Sequence, residues 1–337
     1  MSFIVRSRLQ KFRQHKLGWA SFILFSLILM MSLAAELIAN DKPLLVKYED
    51  AYYLPVFKTY PETTFGGTLN SNTDYRDPYV AGLINEQGWI IWPPIRFSYS
   101  TINYNLNVPA PAPPSADNWL GTDDQGRDVL ARIIYGFRIS ILFALTLTIG
   151  SSVVGIIVGA VQGFYGGWVD LIGQRIIEIW SGLPMLFMLI IMASLVEPNF
   201  WWLLGLMLLF SWTELTGLVR AEFLRGRNLE YVRAARALGL SDSKIMFRHI
   251  LPNAMVSTLS FLPFIFTGAI GLLTSLDFLG FGLPVGSPSL GELVAQGKNN
   301  MSAPWLGLSA FFTLAILLTL LVFIGEAVRD AFDPRKQ

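Results

Sequence analysis

Residues 230–253 read EYVRAARALGLSDSKIMFRHILPN, a polar stretch between two long apolar segments. Leu229, Val232, Ala235 and Leu238 recur every three residues, which predicts one apolar face of a short helix. Alanines at 234, 235 and 237 keep that helix slim, so another surface can approach closely. Gly239 then supplies a natural helix terminus, because glycine enters positive φ without a Cβ clash. Ser241 is placed to cap a second short helix, with Asp242 in its first turn, where the helix dipole favours an acid. Pro252 is expected to end that second helix and start the next apolar segment. The stretch thus reads as helix, glycine turn and helix, presented as one rigid knob.

Composition says where such a knob sits. The 337 residues are 53% hydrophobic and only 15% charged, with a mean hydropathy of +0.49. These values describe a chain that crosses a membrane several times rather than two soluble domains. With no cysteine, disulfides, thiolate metal sites and cysteine nucleophiles are excluded. The two histidines, His15 and His249, are far apart, so a three-histidine zinc site cannot form. No HExxH or GxSxG motif is present, which argues against an intramembrane enzyme. Gly291 to Lys298 fails as a phosphate loop, because Gln296 stands where the second glycine must be and Asn299 replaces Ser/Thr. Asp123 and Asp124 lack the alternate-residue oxygen ladder of a calcium loop. The chain is therefore expected to bind no metal and no nucleotide itself, and to be no enzyme.

Six apolar segments follow in order. Residues 1–16 carry Arg6, Arg8, Lys11, Arg13 and Lys16 with no acid, and suit a cytoplasmic interfacial helix with Phe3, Leu9 and Phe12 toward lipid. The first span is read as 17–38, too long for a signal-peptide core. Residues 39–118 are polar, acidic on balance and rich in aromatics, which predicts a folded external cap. Within it, 88–100 reads as strand interrupted by Pro93 and Pro94, and 108–114 (VPAPAPP) as a stiff spacer. Asp128 begins an amphipathic helix carrying Val129, Ile133 and Ile134, expected to lie along the outer membrane surface. The core from 119 to 337 then holds spans at 139–161, 171–196 (kinked by Pro184), 200–219, 254–276 and 305–328, with a cytoplasmic loop at 220–253. Gly155, Gly159 and Gly163 let another helix approach at backbone distance, within the chain or from a partner subunit. Glu178 and Glu214 lie near the cytoplasmic ends of their spans; a secondary transporter would use them as a proton relay. Six spans put both termini and the knob on one side, in agreement with the positive-inside rule.

The knob resembles the EAA loop of bacterial ABC importer membrane subunits: Glu-Ala-Ala, three residues, Gly, nine residues, Ile-x-Leu-Pro. Ala234, Ala235, Gly239, Leu251 and Pro252 fall on the matching positions. Arg233 stands where that signature has glutamate, and His249 where it has isoleucine. A histidine there resembles the peptide and nickel permease branch. Residues 118–140 (NWLGTDDQGRDVLARIIYGFRIS) resemble the segment before the second span of C-type subunits of dipeptide and oligopeptide permeases. The resemblance implies an all-α polytopic membrane protein with six transmembrane helices of the ABC importer permease (MetI-like) type. It implies that Glu230, Ala234, Ala235, Gly239, Ser241, Asp242, His249, Leu251 and Pro252 couple the spans to a cytoplasmic ABC ATPase, which holds the ATP and Mg. It further implies a second permease subunit in a heterodimer and a periplasmic peptide-binding protein. The implied cargo is oligopeptides, including peptide–nucleotide antibiotics such as microcin C, with dipeptides or nickel as alternatives. The basic island Arg220, Arg225, Arg227, Arg233, Arg236, Lys244 and Arg248 would also suit nucleic acid or anionic lipid, but it is the usual mark of a cytoplasmic loop facing the bilayer, and no nucleic-acid partner is expected.

Overall fold

The computed structural model describes residues 3–196 and 199–332. Phe3, expected to face lipid, has a side chain outside the described set, and the ends of the expected N- and C-terminal segments also lie outside it. In chain order the helices are α1 Phe3–Gln14, α2 Lys16–Leu33, α3 Ala35–Ile38, α4 Pro78–Gln87, α5 Val129–Tyr165, α6 Gly167–Ser181, α7 Met185–Ala193, α8 Phe200–Ser211 and α9 Thr213–Gly226. They continue with α10 Glu230–Ala237, α11 Asp242–Ile245, α12 Leu251–Phe278, α13 Leu290–Asn299 and α14 Pro304–Phe332. The strands β1 Leu45–Tyr48, β2 Ala51–Tyr53 and β3 Gly88–Ile91 form one antiparallel sheet in the order β2-β1-β3.

Among the described residues, five continuous helical stretches are long and apolar enough to cross a bilayer: Lys16–Leu33, Val129–Tyr165, Phe200–Gly226, Asp242–Phe278 and Pro304–Phe332. A sixth, Gly167–Ser181 with Met185–Met192, is bent by 69°. The expected kink at Pro184 is thus a break. The amide N–H groups of Gly182 and Leu183 turn back onto the carbonyls of Glu178 and Trp180 at 3.0 and 3.2 Å, and Pro184 in extended geometry restarts the helix. A second difference concerns residues 129–138. They form the first turns of a helix that runs unbroken to Tyr165, not a separate helix lying along the membrane surface. Their apolar spacing suits either arrangement, and Gly136, near their junction with the span, does not interrupt the helix.

The described residues of Met1–Ser26, Ser140–Pro284 and Ala315–Gln337 cluster as one compact unit, and those of Leu27–Ile139 and Val285–Leu314 as another. The second unit contains the aromatic-rich segment. Its small core gathers Val46, Tyr48, Phe65, Tyr75, Val80 and Ile84. Phe65 is fully buried, with Tyr48, Tyr53, Tyr60 and Tyr75 meeting it edge-on at 5.1 to 6.3 Å between centroids. Strand β3 stops at Ile91, short of the prolines at 93 and 94, which cannot donate to a ladder. The 108–114 spacer is pinned rather than free: Ala112 donates to Thr122 Oγ1 at 2.8 Å, and the Thr122 N–H returns to the Ala112 carbonyl at 2.9 Å.

The same unit holds a buried charge network. Arg132 is fully buried. It donates to Glu292 Oε2 at 3.0 Å and the Ser287 carbonyl at 2.9 Å, and its Nε lies 3.5 Å from Asp123 Oδ2 without hydrogen-bonding geometry. Arg127 Nε donates to Asp123 Oδ2 at 2.7 Å, and its Nη2 to Glu292 Oε1 at 3.3 Å. The Asp123 carboxylate, weighed above as a calcium ligand, is therefore spent on arginines and on the backbone N–H groups of Gln125 and Arg127. Alongside, Asn118 links Asn103 to Asp128, whose other oxygen caps α5 at the Ala131 N–H, 2.7 Å. Burial pushes the Asp128 carboxyl above its usual range.

Candidate functional site

The knob begins where Leu229, in extended geometry, starts α10 without a side-chain cap. Val232 and Ala235 are buried against Ile245, Met246, Ile250 and Ala254 on one side and Val219 and Phe223 on the other. The expected face of four narrows to these two. Leu229 is 42% exposed and Leu238 is 82% exposed, because the helix ends before Leu238 can turn inward. Gly239 sits at φ +77°. Its N–H bonds the Arg236 carbonyl and the Leu240 N–H bonds the Ala235 carbonyl, at 3.0 and 3.2 Å. This pair of bonds is the Schellman closure of a helix, accompanied here by Leu240 packing on the knob core. Nothing lies within 4 Å of a Cβ built on Gly239, so backbone geometry, not crowding, calls for glycine.

Beyond the turn, Ser241 occupies the cap position of α11 through its carbonyl, which accepts from the Ile245 N–H at 3.0 Å; its hydroxyl makes no cap bond. Asp242 is exposed in the first turn. The expectation that Pro252 ends this helix is corrected. Residues Met246–Ile250 form a π turn in which the Leu251 N–H reaches back to Met246, and Pro252 lies in the first turn of α12. The wider turn accommodates a residue with no N–H, so α11 and α12 are one helix from Asp242 to Phe278. His249 is half-buried within that turn, and its carbonyl accepts from the Tyr231 hydroxyl at 3.3 Å and Asn253 Nδ2 at 3.4 Å. These bonds tie the start of α10 to the start of α12. Glu230, Ala234 and Pro252 are exposed, and Leu251 is half-buried on the core.

Leu238, Phe247 (67% exposed) and Tyr231 are exposed on the knob, as are Arg233, Lys244 and Arg248, with Phe247 beside Ile157 and Val161 of α5. Sequence spacing missed both Leu238 and Phe247 as surface groups. A leucine at a glycine turn inside a charged loop is the signal that would have found the first. The basic island is less uniform than its composition suggests. Both Nε and Nη2 of Arg220 bond the Asp170 carboxylate, and Arg227 donates to the Phe164 carbonyl at 3.3 Å.

Behind the knob, Gly155, Gly159 and Gly163 of α5 face α9 and the residue before it, Trp212, in the same chain. A Cβ on each would stand 2.7, 2.6 and 2.5 Å from the carbonyl oxygens of Trp212, Thr216 and Arg220. The two helices touch backbone to backbone in four-residue steps. Glu178 is exposed and paired with Arg175 at 2.5 Å, and Glu214 is exposed as well.

Residues 151–337, which contain the knob, match the family described as binding-protein-dependent transport system inner membrane component. The chain is 59% identical to the inner membrane ABC transporter permease protein YejE of Escherichia coli, over 100% of this chain and 98% of that one. It is 58% identical to the peptidoglycan transport system permease protein YejE of Agrobacterium fabrum, over 98% and 93% respectively. The oligopeptide transport system permease protein OppC of Lactococcus lactis is 38% identical over 67% of this chain and 78% of its own length. An inward-facing structure of the MetNI methionine ABC transporter shares the fold, with a TM-score of 0.50 at 16% identity, covering 60% of this chain and 97% of that one. With most of its membrane spans and its glycine-turned loop inside the matched region, the chain belongs to the binding-protein-dependent transport system inner membrane components, as an ABC transporter permease.

Proposed function

We propose that this permease moves peptides inward across the inner membrane, driven by an ATPase on a separate subunit that docks on residues 230–252. The relatives named as oligopeptide and peptidoglycan permeases support a peptide-bearing cargo; on this reading the cargo includes peptide–nucleotide conjugates such as microcin C. On this reading a second permease subunit completes the pathway as a heterodimer, a periplasmic binding protein delivers the peptide, and ATP and Mg stay with the ATPase. Both termini and the knob face the cytoplasm, and the aromatic cap faces the periplasm, where it receives the binding protein. ATP-driven closure of the ATPase moves the knob, and the spans follow between outward and inward access.

The observation that carries the coupling role is the preformed tip: a Schellman turn holds Leu238 82% exposed above a packed base. An apolar side chain fixed in water by its own backbone is suited to a partner's groove. Burial of one leucine contributes roughly 1.5–3 kcal/mol, so Leu238→Ser is expected to weaken capture of the ATPase by about tenfold. Gly239→Val forces a β-branched residue to positive φ, at a cost of about 1–2 kcal/mol or more. It is expected to cut peptide uptake several-fold while the chain still inserts. Uptake and ATPase co-purification are measured together, and wild-type values for both variants would refute the docking assignment.

A further inference from the structure

We propose that the first unit carries a binding pocket for the phosphodiester headgroup of an anionic phospholipid, built by Arg8, Arg225 and Arg329. The three arginines come from different elements: α1, the last turn of α9 and the last turn of α14. They line one cavity of about 600 Å³. None of them forms an ion pair among the described residues. Arg8 lies 4.5 Å over the ring of Phe332, and Arg329 lies 6.0 Å from that of Phe264. Two acids share the wall, Glu222 and Asp330. The first accepts a hydrogen bond from Ser257 at 2.8 Å. Three guanidiniums against two carboxylates leave an excess of positive charge, and the guanidinium fork matches phosphate oxygens in pairs.

The rest of the wall says why the phosphate belongs to a lipid. It runs along α12 from Asn253 to Phe261, about 12 Å of helix at 1.5 Å per residue. It thus starts at the base of the knob and rises along a membrane span. Val256 and Phe261 make that upper part apolar, and Phe261 is 48% exposed. A charged rim with an apolar wall along a span matches a headgroup with its acyl chains. A soluble anion has no use for the upper wall, and a docked soluble domain, such as the ATPase, would have to enter the hydrocarbon to fill it. Basic pockets at the ends of membrane helices recognise anionic headgroups on these grounds, each arginine adding to the attraction. A lipid seated here would bridge α1, α9, α12 and α14 at the foot of the coupling loop.

The test uses the full chain purified in detergent, with phosphatidylglycerol or phosphatidylcholine added in mixed micelles. Retained lipid is counted by native mass spectrometry and thermal stability is read in parallel. The wild type is expected to retain phosphatidylglycerol over phosphatidylcholine, and each of R8Q, R225Q and R329Q to lower that preference about fivefold. The single variants guard against a triple variant that does not fold. R233Q/K244Q/R248Q, which removes three exposed cations outside the pocket, is expected to keep the preference. Equal retention of the two lipids, or an equal loss in the control variant, overturns the proposal. So does inorganic phosphate that stabilises the chain as well as phosphatidylglycerol does and displaces it, which would make the occupant a soluble phosphate. Lost ATPase capture with unchanged lipid retention would give the pocket to the protein partner and also overturn it.

Discussion

Arg132→Met is expected to destabilise the folded chain by about 3–5 kcal/mol, because it leaves two carboxylates, one of them fully buried, to share one guanidinium. The side chain of Arg132 is 0% exposed, as is that of Asp123, whereas Glu292 is 24% exposed. Removal of the arginine leaves Asp123 and Glu292 facing a single remaining guanidinium, that of Arg127. It also strips the Ser287 carbonyl of its donor. Arg127 already reaches both, through Nε and Nη2 to Asp123 and through Nη2 to Glu292, so it is left to balance two carboxylates alone. Methionine keeps most of the volume, so the loss reports charge rather than a cavity. The decisive measurement is a double-mutant cycle with Glu292→Gln, read from thermal unfolding of the purified chain in detergent. The double variant should recover part of the loss, with a coupling energy of about 1–3 kcal/mol. A loss below about 1 kcal/mol for Arg132→Met would mean that the network contributes nothing its hydrophobic replacement cannot.

The second large effect is expected at the glycine ladder. Gly163→Ala places a methyl group 2.5 Å from the Arg220 carbonyl oxygen and 2.6 Å from Phe223 Cβ. Neither is the flexible end of a side chain, so the helices must separate or the backbone must bend. Overpacking of this kind costs about 1–3 kcal/mol. Gly205→Ala on α8 is the matched comparison, because nothing lies within 4 Å of its Cβ position. There the substitution should stabilise by roughly 0.5–1 kcal/mol, since alanine loses less backbone entropy in a helix. Opposite signs in the same melting assay are the expected result. Equal effects at both positions would show that the close approach of α5 to α9 has no energetic consequence.

The membrane spans were legible because long apolar runs between charged loops have few other readings. The glycine turn was legible for a local reason: one residue type reaches positive φ cheaply. Local rules say less about where an element stops. The three-residue spacing placed Leu238 on the face of Val232, but spacing alone does not show that the helix closes one residue earlier. Pro252 read as a stop because proline breaks a regular α-helix, and a π turn is not marked by any residue preference the sequence displays. The continuity of α5 was hidden because amphipathic first turns and apolar later turns suit one helix or two. Partners distant in the chain left no mark at all. Arg132 meets Glu292 across 160 residues and Arg220 meets Asp170 across 50. The ladder glycines announce a close approach by their repeat, yet Trp212, Thr216 and Arg220 opposite them carry no corresponding pattern.

The π turn beneath the knob has a mechanical consequence. Because it passes Pro252 without interrupting the helix, Asp242–Phe278 is a single rod of 37 residues, about 55 Å long at 1.5 Å per residue. Its lower end is clamped into the knob by Ile245, Met246 and Ile250, all buried there. A jointed connection at Pro252 would have absorbed a push on the knob as local bending. A rod instead acts as a lever, and a tilt of about 10° at its foot sweeps the far end by ~10 Å. Pro263, eleven residues above Pro252 and inside the same helix, is then a point where the lever can flex. On the coupling role proposed above, stroke delivered at the foot would be divided there between tilting the upper half and flexing the shaft.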